Sequence, residues 1–333
     1  MRPNNSAQPT LALRARAAEL GRWIARLSRA PGRKVVVGRS EASVPFREGH
    51  TDFTSRRTST MRKGMDDSSE RVRFGSEFLD FFSDRHASTH AAFFIDYVEP
   101  GMHILDCGCG PGSITLDLAE MVEPGKAVGI DIERAQIERA KALRHVRKVT
   151  NVEFQIGDLN QLPFEDRTFD AVFAHGVVEY SRDPVHAFGE IRRVLKSGGV
   201  FGGRHGDWGG FLLATKNPNT KKAFSIFIRL MKKNGGDPYF GRNQTAYLRK
   251  AGFTQLISSA SYDCWTPTLS TARRVGEFMK AYFASDEFVG PVLRYGLADA
   301  GALEKIQSAF DDWGEDEDLF AAEAWGEAVT WKS

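Results

Sequence analysis

Residues 102–116 read MHILDCGCGPGSITL, and the fold prediction is built outward from them. An apolar run ends at Asp106, and three glycines, Gly108, Gly110 and Gly112, then open a segment with a helical pattern. Glycine suits a backbone that turns sharply or lies against a ligand, and the first turn of the next helix offers unpaired N–H donors. The stretch therefore predicts a strand, a glycine-rich turn and a helix that together hold a nucleotide.

The spacing of these glycines bears on which nucleotide is bound. A dinucleotide-binding turn reads GxGxxG, which places a third Gly or Ala at position 113, where this chain has Ser113. Asp106 would repel a pyrophosphate, whereas it would attract an ammonium group. The pattern thus favours a ligand with an α-amino group. An NAD-dependent oxidoreductase stays open as a rival, because an acid after the second strand suits either ribose.

From residue 69 onward, strand-like and helical segments alternate, which is typical of a doubly wound α/β sheet with its functional loops at the carboxyl ends of the strands. The predicted strands are 103–107, 127–131, 152–156, 171–175, 200–204 and 254–258. The predicted helices between them are 113–121, 135–146, 184–195 and 242–251. A helical insertion is expected at 206–240, with an amphipathic helix around 221–233, and a helical cap is expected over 264–333.

Three polar residues follow successive predicted strands. Asp131 ends the second strand, where a carboxylate can accept both ribose hydroxyls. Asp158 follows the third strand and can accept a hydrogen bond from an adenine amine. His175 ends the fourth strand, and an ordinary buried histidine is an equally good interpretation of it. Together with the glycine turn, these positions predict one site along the edge of the sheet.

At this point the chain resembles the class I S-adenosylmethionine-dependent methyltransferases, over roughly residues 75–263. Within that superfamily it is most similar to the group associated with ubiquinone and menaquinone biosynthesis. The resemblance rests on LDCGCGPG (105–112), GIDIERAQIERA (129–140), GDLNQLPFEDRTFDAVFAHGVVEY (157–180) and RRVLKSGGV (192–200). It implies S-adenosylmethionine as methyl donor and a Rossmann-like seven-stranded sheet whose last strand is antiparallel.

The resemblance also implies roles for single residues. Asp106 and Gly108 would lie near the methionine moiety, Asp131 would hold the ribose, and His175 would line the cofactor near its sulfonium. The other predicted cofactor residues are Gly110, Gly112, Ile132, Gln136, Asp158 and Leu159.

The methyl acceptor is expected beyond the fourth and fifth strands, where residues 201–210 read FGGRHGDWGG. Methyl transfer mainly needs alignment, but a base helps a phenol, an amine or an enolisable carbon, and histidine has a suitable pKa. His205 is the first candidate base and His175 the second. The predicted substrate residues are Arg204, Asp207, Trp208, Tyr180 and Arg85. A flexible loop is the competing interpretation of 201–210.

Charge and composition bound the remaining possibilities. Residues 1–64 hold 14 basic and 4 acidic residues, a net charge of +10, whereas the rest of the +2 chain carries −8. The basic segment is interpreted as an unstructured leader or a start assigned too early, with an organelle-targeting peptide as the alternative. The acidic remainder disfavours nucleic acid as substrate, as does AHGV (174–177) where base-amino methyltransferases have a DPPY-like tetrad.

No apolar run is long enough to span a membrane, and three cysteines without an even framework favour the reducing cytoplasm. The CxC pair 107–109 has no second ligand pair near it, so no metal site is predicted. We therefore predict a methyltransferase domain over 65–263 that acts on a small molecule, with a quinone-like or secondary-metabolite ring favoured. A binding protein that retains the fold without catalysis is the second alternative. The sequence leaves oligomeric state open.

Overall fold

The computed structural model describes residues 85–313 and 315–333. The predictions for the basic segment 1–64 therefore lie outside the described residues. The strands are β1 (His103–Cys107), β2 (Lys126–Asp131), β3 (Val152–Ile156), β4 (Phe169–His175), β5 (Leu195–Gly206), β6 (Leu212–Ala214), β7 (Leu256–Cys264) and β8 (Phe320–Trp331). The main helices are α1 (Ser113–Val122), α2 (Arg134–Arg147), α3 (Pro184–Val194), α4 (Pro218–Lys233), α5 (Phe240–Lys250), α6 (Leu269–Ala284), α7 (Asp286–Arg294) and α8 (Ala300–Ser308).

One sheet runs through the described part of the chain. Its first five strands are parallel in the spatial order β3, β2, β1, β4, β5. β8 then pairs with β5 in the antiparallel sense, and β7 pairs with β8, also antiparallel, as a branch off this strand order. The short β6 pairs with the first residues of β8. This confirms the doubly wound α/β fold with an antiparallel last strand, and it adds β6 as an eighth strand.

Helices cover both faces of the sheet because neighbouring residues of each strand point to opposite sides. Ile104 belongs to a core with α1 and α2, whereas Leu105 belongs to a core with α3 and α5. A third core joins α4, α6, α7 and α8 around aromatic side chains such as Phe224 and Phe283. The expected amphipathic helix of the insertion is α4, and its apolar face enters this third core.

The prediction of a helical cap over the whole of 264–333 is wrong for residues 320–331, which form β8. The reason is that β8 is buried along almost its full length, at residues 321–325 and 327–330. A strand covered on both faces loses the alternation of polar and apolar residues that marks a half-exposed strand. Its alanines and glutamates also have good helix propensity, so the local sequence favours the wrong structure.

Strand register brings the predicted site residues to one edge. Cys107 pairs with Ile130, so Gly108 follows at the level where β2 ends in Asp131. His175 pairs with Arg204 at the carboxyl ends of β4 and β5. The described residues contain no helix that is long and apolar enough to cross a membrane.

Candidate active site

A cavity of about 1100 Å³ opens at the carboxyl ends of the parallel strands. We call one part of it the glycine-turn end, lined by Gly108, Asp131, Ile132, Gln136, Asp158 and Leu159. The other part is the aromatic end, lined by Tyr180, Trp208, Phe224, Phe227, Trp265, Phe278, Tyr282 and Phe283. One cavity therefore includes most of the predicted nucleotide residues and an apolar compartment.

The glycine turn has a backbone that other residues would strain. Gly108, Gly110 and Gly112 have φ angles of +75°, +53° and +84°, in the region that favours glycine. A Cβ atom at position 108 would also lie 2.6 Å from Val177 Cγ2. The turn is tied to the end of β2, because the Gly108 N–H donates to the Ile130 carbonyl at 2.8 Å. The three glycines thus fix the path of the turn, and Gly108 lines the glycine-turn end.

Asp131 holds the same turn from the other side. Its Oδ2 accepts a hydrogen bond from the Gly110 N–H at 3.0 Å, and its Oδ1 accepts one from the Glu133 N–H at 2.9 Å. Burial raises the pKa of Asp131, partly offset by these backbone donors. Each carboxylate oxygen retains a second lone pair. The carboxylate is therefore oriented by the backbone and can still accept hydrogen bonds from a ligand in the cavity.

Asp106 lies below the turn in a small adjoining pocket of about 30 Å³, which Arg85, Gly108 and His175 also line. Its Oδ2 accepts a 2.6 Å hydrogen bond from Thr115 Oγ1. Burial raises the pKa of Asp106 to about 7 against the effect of that hydrogen bond. A ligand ammonium group beside it would favour the ionised carboxylate.

The remaining predicted cofactor residues are divided between paired and unpaired polar groups. Asp158 Oδ1 accepts hydrogen bonds from the Asn160 N–H at 2.8 Å and from Asn160 Nδ2 at 2.9 Å, next to the buried Leu159. Gln136 Oε1 is buried and has no hydrogen-bond partner among the described residues. A buried acceptor without a partner is costly, which fits a site completed by a donor from a ligand.

His175 lies in the cavity wall, but both nitrogens of its ring are engaged. Nδ1 is 3.2 Å from the Arg204 carbonyl oxygen, and Nε2 is 3.3 Å from Arg204 Nη1. Nδ1 therefore donates and Nε2 accepts, which fixes a neutral ring. Burial, reinforced by Arg85 and Arg204, holds the pKa of His175 well below its ordinary value. The predicted role as a base thus has no support in this geometry, whereas the predicted position beside the cavity does.

The structure divides the residues predicted to contact the acceptor. Tyr180, Trp208 and Arg85 line the cavity. Trp208 packs on Phe224 with 6.0 Å between ring centroids and on Phe227 with 4.7 Å, as part of the apolar wall.

Arg204, His205 and Asp207 do not line the cavity, which corrects the expectation that they face the acceptor. Arg204 is 1% exposed and forms a bidentate ion pair with Asp263, at 2.8 and 3.0 Å. Asp207 accepts hydrogen bonds from Arg242 Nε and Nη2 at 2.6 and 2.7 Å. Arg204 thus links β5 to β7, and Asp207 links the end of β5 to α5. Each of the two charged groups is paired with an opposite charge within the fold.

His205 is fully buried behind the cavity. Its Nδ1 lies 2.8 Å from Glu179 Oε2, and its ring packs on Phe240 with 4.9 Å between centroids. Glu179, rather than His205, reaches the cavity.

Among the lining residues that sequence reasoning missed are Glu179, Glu323 and Trp325. Glu179 directly precedes the predicted Tyr180, so an acid beside a predicted site residue was the available signal. Glu323 and Trp325 belong to β8, whose strand character the sequence did not reveal. The ring of Trp325 lies 4.6 Å from His175 and 4.5 Å from the Arg204 guanidinium carbon.

Comparison with known proteins agrees with this site. Residues 98–207 match a family model described as a methyltransferase domain. An uncharacterized methyltransferase of Schizosaccharomyces pombe is 32% identical over 262 residues, which cover 74% of this chain and 92% of that protein. A probable methyltransferase of Aspergillus luteorubrus is 34% identical over 39% of this chain and 49% of its own length. A demethylmenaquinone methyltransferase of Lactococcus lactis is 41% identical over 30% of this chain and 40% of its own length.

The chain belongs to the class I S-adenosylmethionine-dependent methyltransferases. Its fold, its glycine turn and a relative of which 92% is aligned with this chain agree on this point. The similarity to menaquinone-type enzymes noted from the sequence recurs among the relatives. Membership of this family removes the NAD-dependent oxidoreductase as an interpretation of the glycine turn.

Proposed function

We propose that this protein transfers the methyl group of S-adenosylmethionine to a small, largely apolar acceptor with a quinone-like or secondary-metabolite ring. The observation that carries the proposal is the single cavity that joins the glycine-turn end to the aromatic end. A donor held at the first and an acceptor held at the second would share one continuous space.

The residues of the glycine-turn end fit the donor. Asp131 would accept hydrogen bonds from the ribose hydroxyls, and Gln136 Oε1 would gain the donor that it lacks. Asp158 and Leu159 would frame the adenine, and Asp106 would pair with the amino group of the methionine moiety. The bound donor supplies a methyl carbon that its sulfonium already activates.

The aromatic end would orient the acceptor and exclude water. Its rings line the cavity and also pack against neighbouring rings. The ring centroids of Phe224 and Phe211 are 4.6 Å apart, and those of Phe283 and Phe288 are 4.8 Å apart. Such rigid walls suit a flat apolar molecule. Because in-line transfer depends on alignment, a fixed acceptor compartment is what the protein must provide.

Relatives support an apolar acceptor. The cycloartenol-C-24-methyltransferase of Oryza sativa is 39% identical over 31% of this chain, and the demethylmenaquinone methyltransferases align over a similar share. The names of both groups refer to apolar substrates. The alignments cover less than half of each of these relatives, so the acceptor of this chain is inferred from the cavity.

Calorimetric titration of the purified full chain with S-adenosylmethionine, S-adenosylhomocysteine and NAD tests the donor site. We expect both adenosyl ligands to bind and NAD not to bind. Transfer of a labelled methyl group to demethylmenaquinol, cycloartenol and simple phenols then tests the acceptor. Donor binding without transfer to any apolar acceptor would favour the non-catalytic alternative, and NAD binding in place of the adenosyl ligands would contradict the proposal.

A further inference from the structure

Two buried glutamates line the cavity. Glu179, after β4, is 3% exposed, and Glu323, on β8, is 7% exposed. A Cβ atom built on Gly206 would lie 3.6 Å from Glu179 Oε1 and 3.5 Å from Glu323 Oε1. The two carboxyl groups therefore both lie within reach of position 206 and close to each other. Because carboxyl groups are costly to bury, this pair calls for a functional explanation.

Glu179 is held in place by the protein. Its Oε2 lies 2.8 Å from His205 Nδ1, and its Oε1 accepts a hydrogen bond from the Gly206 N–H at 3.1 Å. His205 Nδ1–H is therefore the donor, and Nε2 of the same ring has no partner among the described residues. These contacts fix the carboxylate of a residue that lines the cavity, and each of its oxygens keeps a second lone pair.

Glu323 differs from Glu179 in its surroundings. Burial raises the pKa of Glu323 to about 8, although the nearby Arg85 guanidinium opposes the rise. At neutral pH its carboxyl is mainly protonated and can donate or accept a hydrogen bond. Arg85 itself lies over the Trp325 ring, 5.6 Å from its centroid. The cavity wall at these glutamates therefore combines one carboxylate, one carboxylic acid and one guanidinium beside aromatic rings.

This wall discriminates between classes of acceptor. A hydroxyl or an amine on an apolar body can donate a hydrogen bond to Glu179 and bury its body among the aromatic rings. A carboxylate or phosphate that contacts Glu179 would face its carboxylate in a medium of low dielectric constant, where like charges repel strongly. Arg85 offsets this repulsion only in part, because its charge also interacts with the Asp263 carboxylate. Two different acceptor groups, O–H and N–H, share the required property of donating a proton.

We propose that Glu179 and Glu323 select an apolar acceptor whose reacting end is a hydroxyl or an amine, and that Glu179 takes the proton which this end loses. The inference rests on the proposed function. The acceptor oxygen or nitrogen forms a bond to the methyl carbon while the carbon–sulfur bond breaks and its electron pair stays on sulfur. The acceptor proton passes to Glu179, which becomes a carboxylic acid and returns the proton to solvent after product release. His205 is a positioning residue that holds Glu179.

Three probes of equal size test the selection without knowledge of the natural acceptor: naphthylmethylamine, naphthylmethanol and naphthoate. Each is titrated calorimetrically into the full chain, with and without saturating S-adenosylhomocysteine. We expect the amine and the alcohol to bind at least about tenfold more tightly than naphthoate, the size of one hydrogen bond to a charged group. Comparison of the neutral alcohol with the cationic amine also distinguishes a hydroxyl acceptor from an amine acceptor.

Glu179→Gln removes the charge but keeps the shape of the side chain, so this preference should fall below about threefold. Glu138→Gln, on the exposed surface of α2, removes the same charge elsewhere and should keep the preference. With any acceptor that is turned over, Glu179→Gln should lower kcat. His205→Gln should change the pH dependence of kcat while it changes KM less.

The outcomes separate this inference from the proposed function. Equal binding of naphthoate and naphthylmethylamine, failure of all three probes to bind, or an unchanged preference in Glu179→Gln would overturn the inference. Unchanged affinity of Glu179→Gln for S-adenosylhomocysteine would show that the variant is folded with its donor site intact. Absence of S-adenosylhomocysteine binding to the unaltered chain would overturn the proposed function instead, and the titrations without that ligand would still decide the inference.

Discussion

The two ends of the cavity are built in different ways. The glycine-turn end comes from residues close together in sequence, at successive strand ends, and its geometry is set by backbone contacts such as Gly110 to Asp131. The aromatic end gathers side chains that are far apart in the sequence, with Trp208, Phe224 and Phe283 on three separate segments. At the glycine-turn end, single residues and their backbone contacts set the positions of the polar groups. At the aromatic end, the volume and packing of the rings set the shape of the compartment.

The difference has a consequence for stability. Phe224, Phe227 and Phe283 line the cavity and are also members of the core that joins α4, α6, α7 and α8. A change at the aromatic end therefore alters the free energy of unfolding together with the shape of the acceptor compartment. At the glycine-turn end, a carboxylate such as Asp131 contributes hydrogen bonds and little apolar burial. A substitution there should therefore lower ligand affinity with little change in the free energy of unfolding.

Phe283→Ala should have the largest effect and would test the double role of the aromatic end. Phe283 is buried, and its ring stacks on Phe310 at 5.1 Å and meets Phe288 at 4.8 Å. Truncation of such a side chain leaves a cavity and costs about 3–5 kcal/mol of unfolding free energy. Urea denaturation measures it, with Phe283→Leu as a milder control. A loss below about 1 kcal/mol would mean that the aromatic end is not part of the core.

Asp131→Ala should give the next largest effect, at the other end of the cavity. It removes the carboxylate proposed to bind both ribose hydroxyls, and two hydrogen bonds to a charged acceptor correspond to about a 100-fold loss of affinity for S-adenosylhomocysteine. Calorimetric titration measures this loss. Glu138→Gln serves as a control for charge. Affinity retained within about threefold would refute the assignment of Asp131 to the donor.

Sequence and structure agree best where local chemistry dictates the backbone. β1 and β3 have the predicted bounds, His103–Cys107 and Val152–Ile156, and the glycine turn has the expected positive φ angles. Glycine and a short apolar run constrain their own neighbourhood, so no distant contact is needed to interpret them. Asp131, predicted at the end of the second strand, and Asp158, predicted after the third, accordingly line the cavity.

The acceptor side could not be predicted as well because burial there erases the pattern. Every residue from 200 to 206 is buried, so the sequence gives no sign of which side chains of β5 face the cavity. Arg204 and His205 were both expected at the acceptor, yet each is engaged by a partner from a distant segment, Asp263 or Glu179. Glu323 was missed because β8 is placed by its pairing with β5 and β7, which is a long-range property.

Glu323→Gln should change the pH dependence of stability and would sharpen the contrast between Glu323 and Glu179. Its pKa is raised from 4.5 to about 8 by burial. Between these values the folded chain binds a proton that the unfolded chain does not, so its contribution to stability falls as pH rises through this window. From about pH 6 to pH 8, the unaltered chain should lose about 2 kcal/mol relative to the variant. Denaturation at both pH values measures this, and parallel pH dependences would contradict a buried, protonated Glu323.

Asp207→Asn should have the smallest effect, and it tests whether Asp207 belongs to the cavity or to the fold. Asp207 accepts two hydrogen bonds from the Arg242 side chain and one from the Arg242 N–H at 3.1 Å, while Arg242 itself is largely exposed. An ion pair open to solvent on one side contributes little, so the variant should lose about 1 kcal/mol of unfolding free energy. Probe and S-adenosylhomocysteine affinities should be unchanged. A lower affinity for naphthylmethylamine with unaltered stability would return Asp207 to the acceptor site and show that residues 201–210 rearrange when the aromatic end is filled.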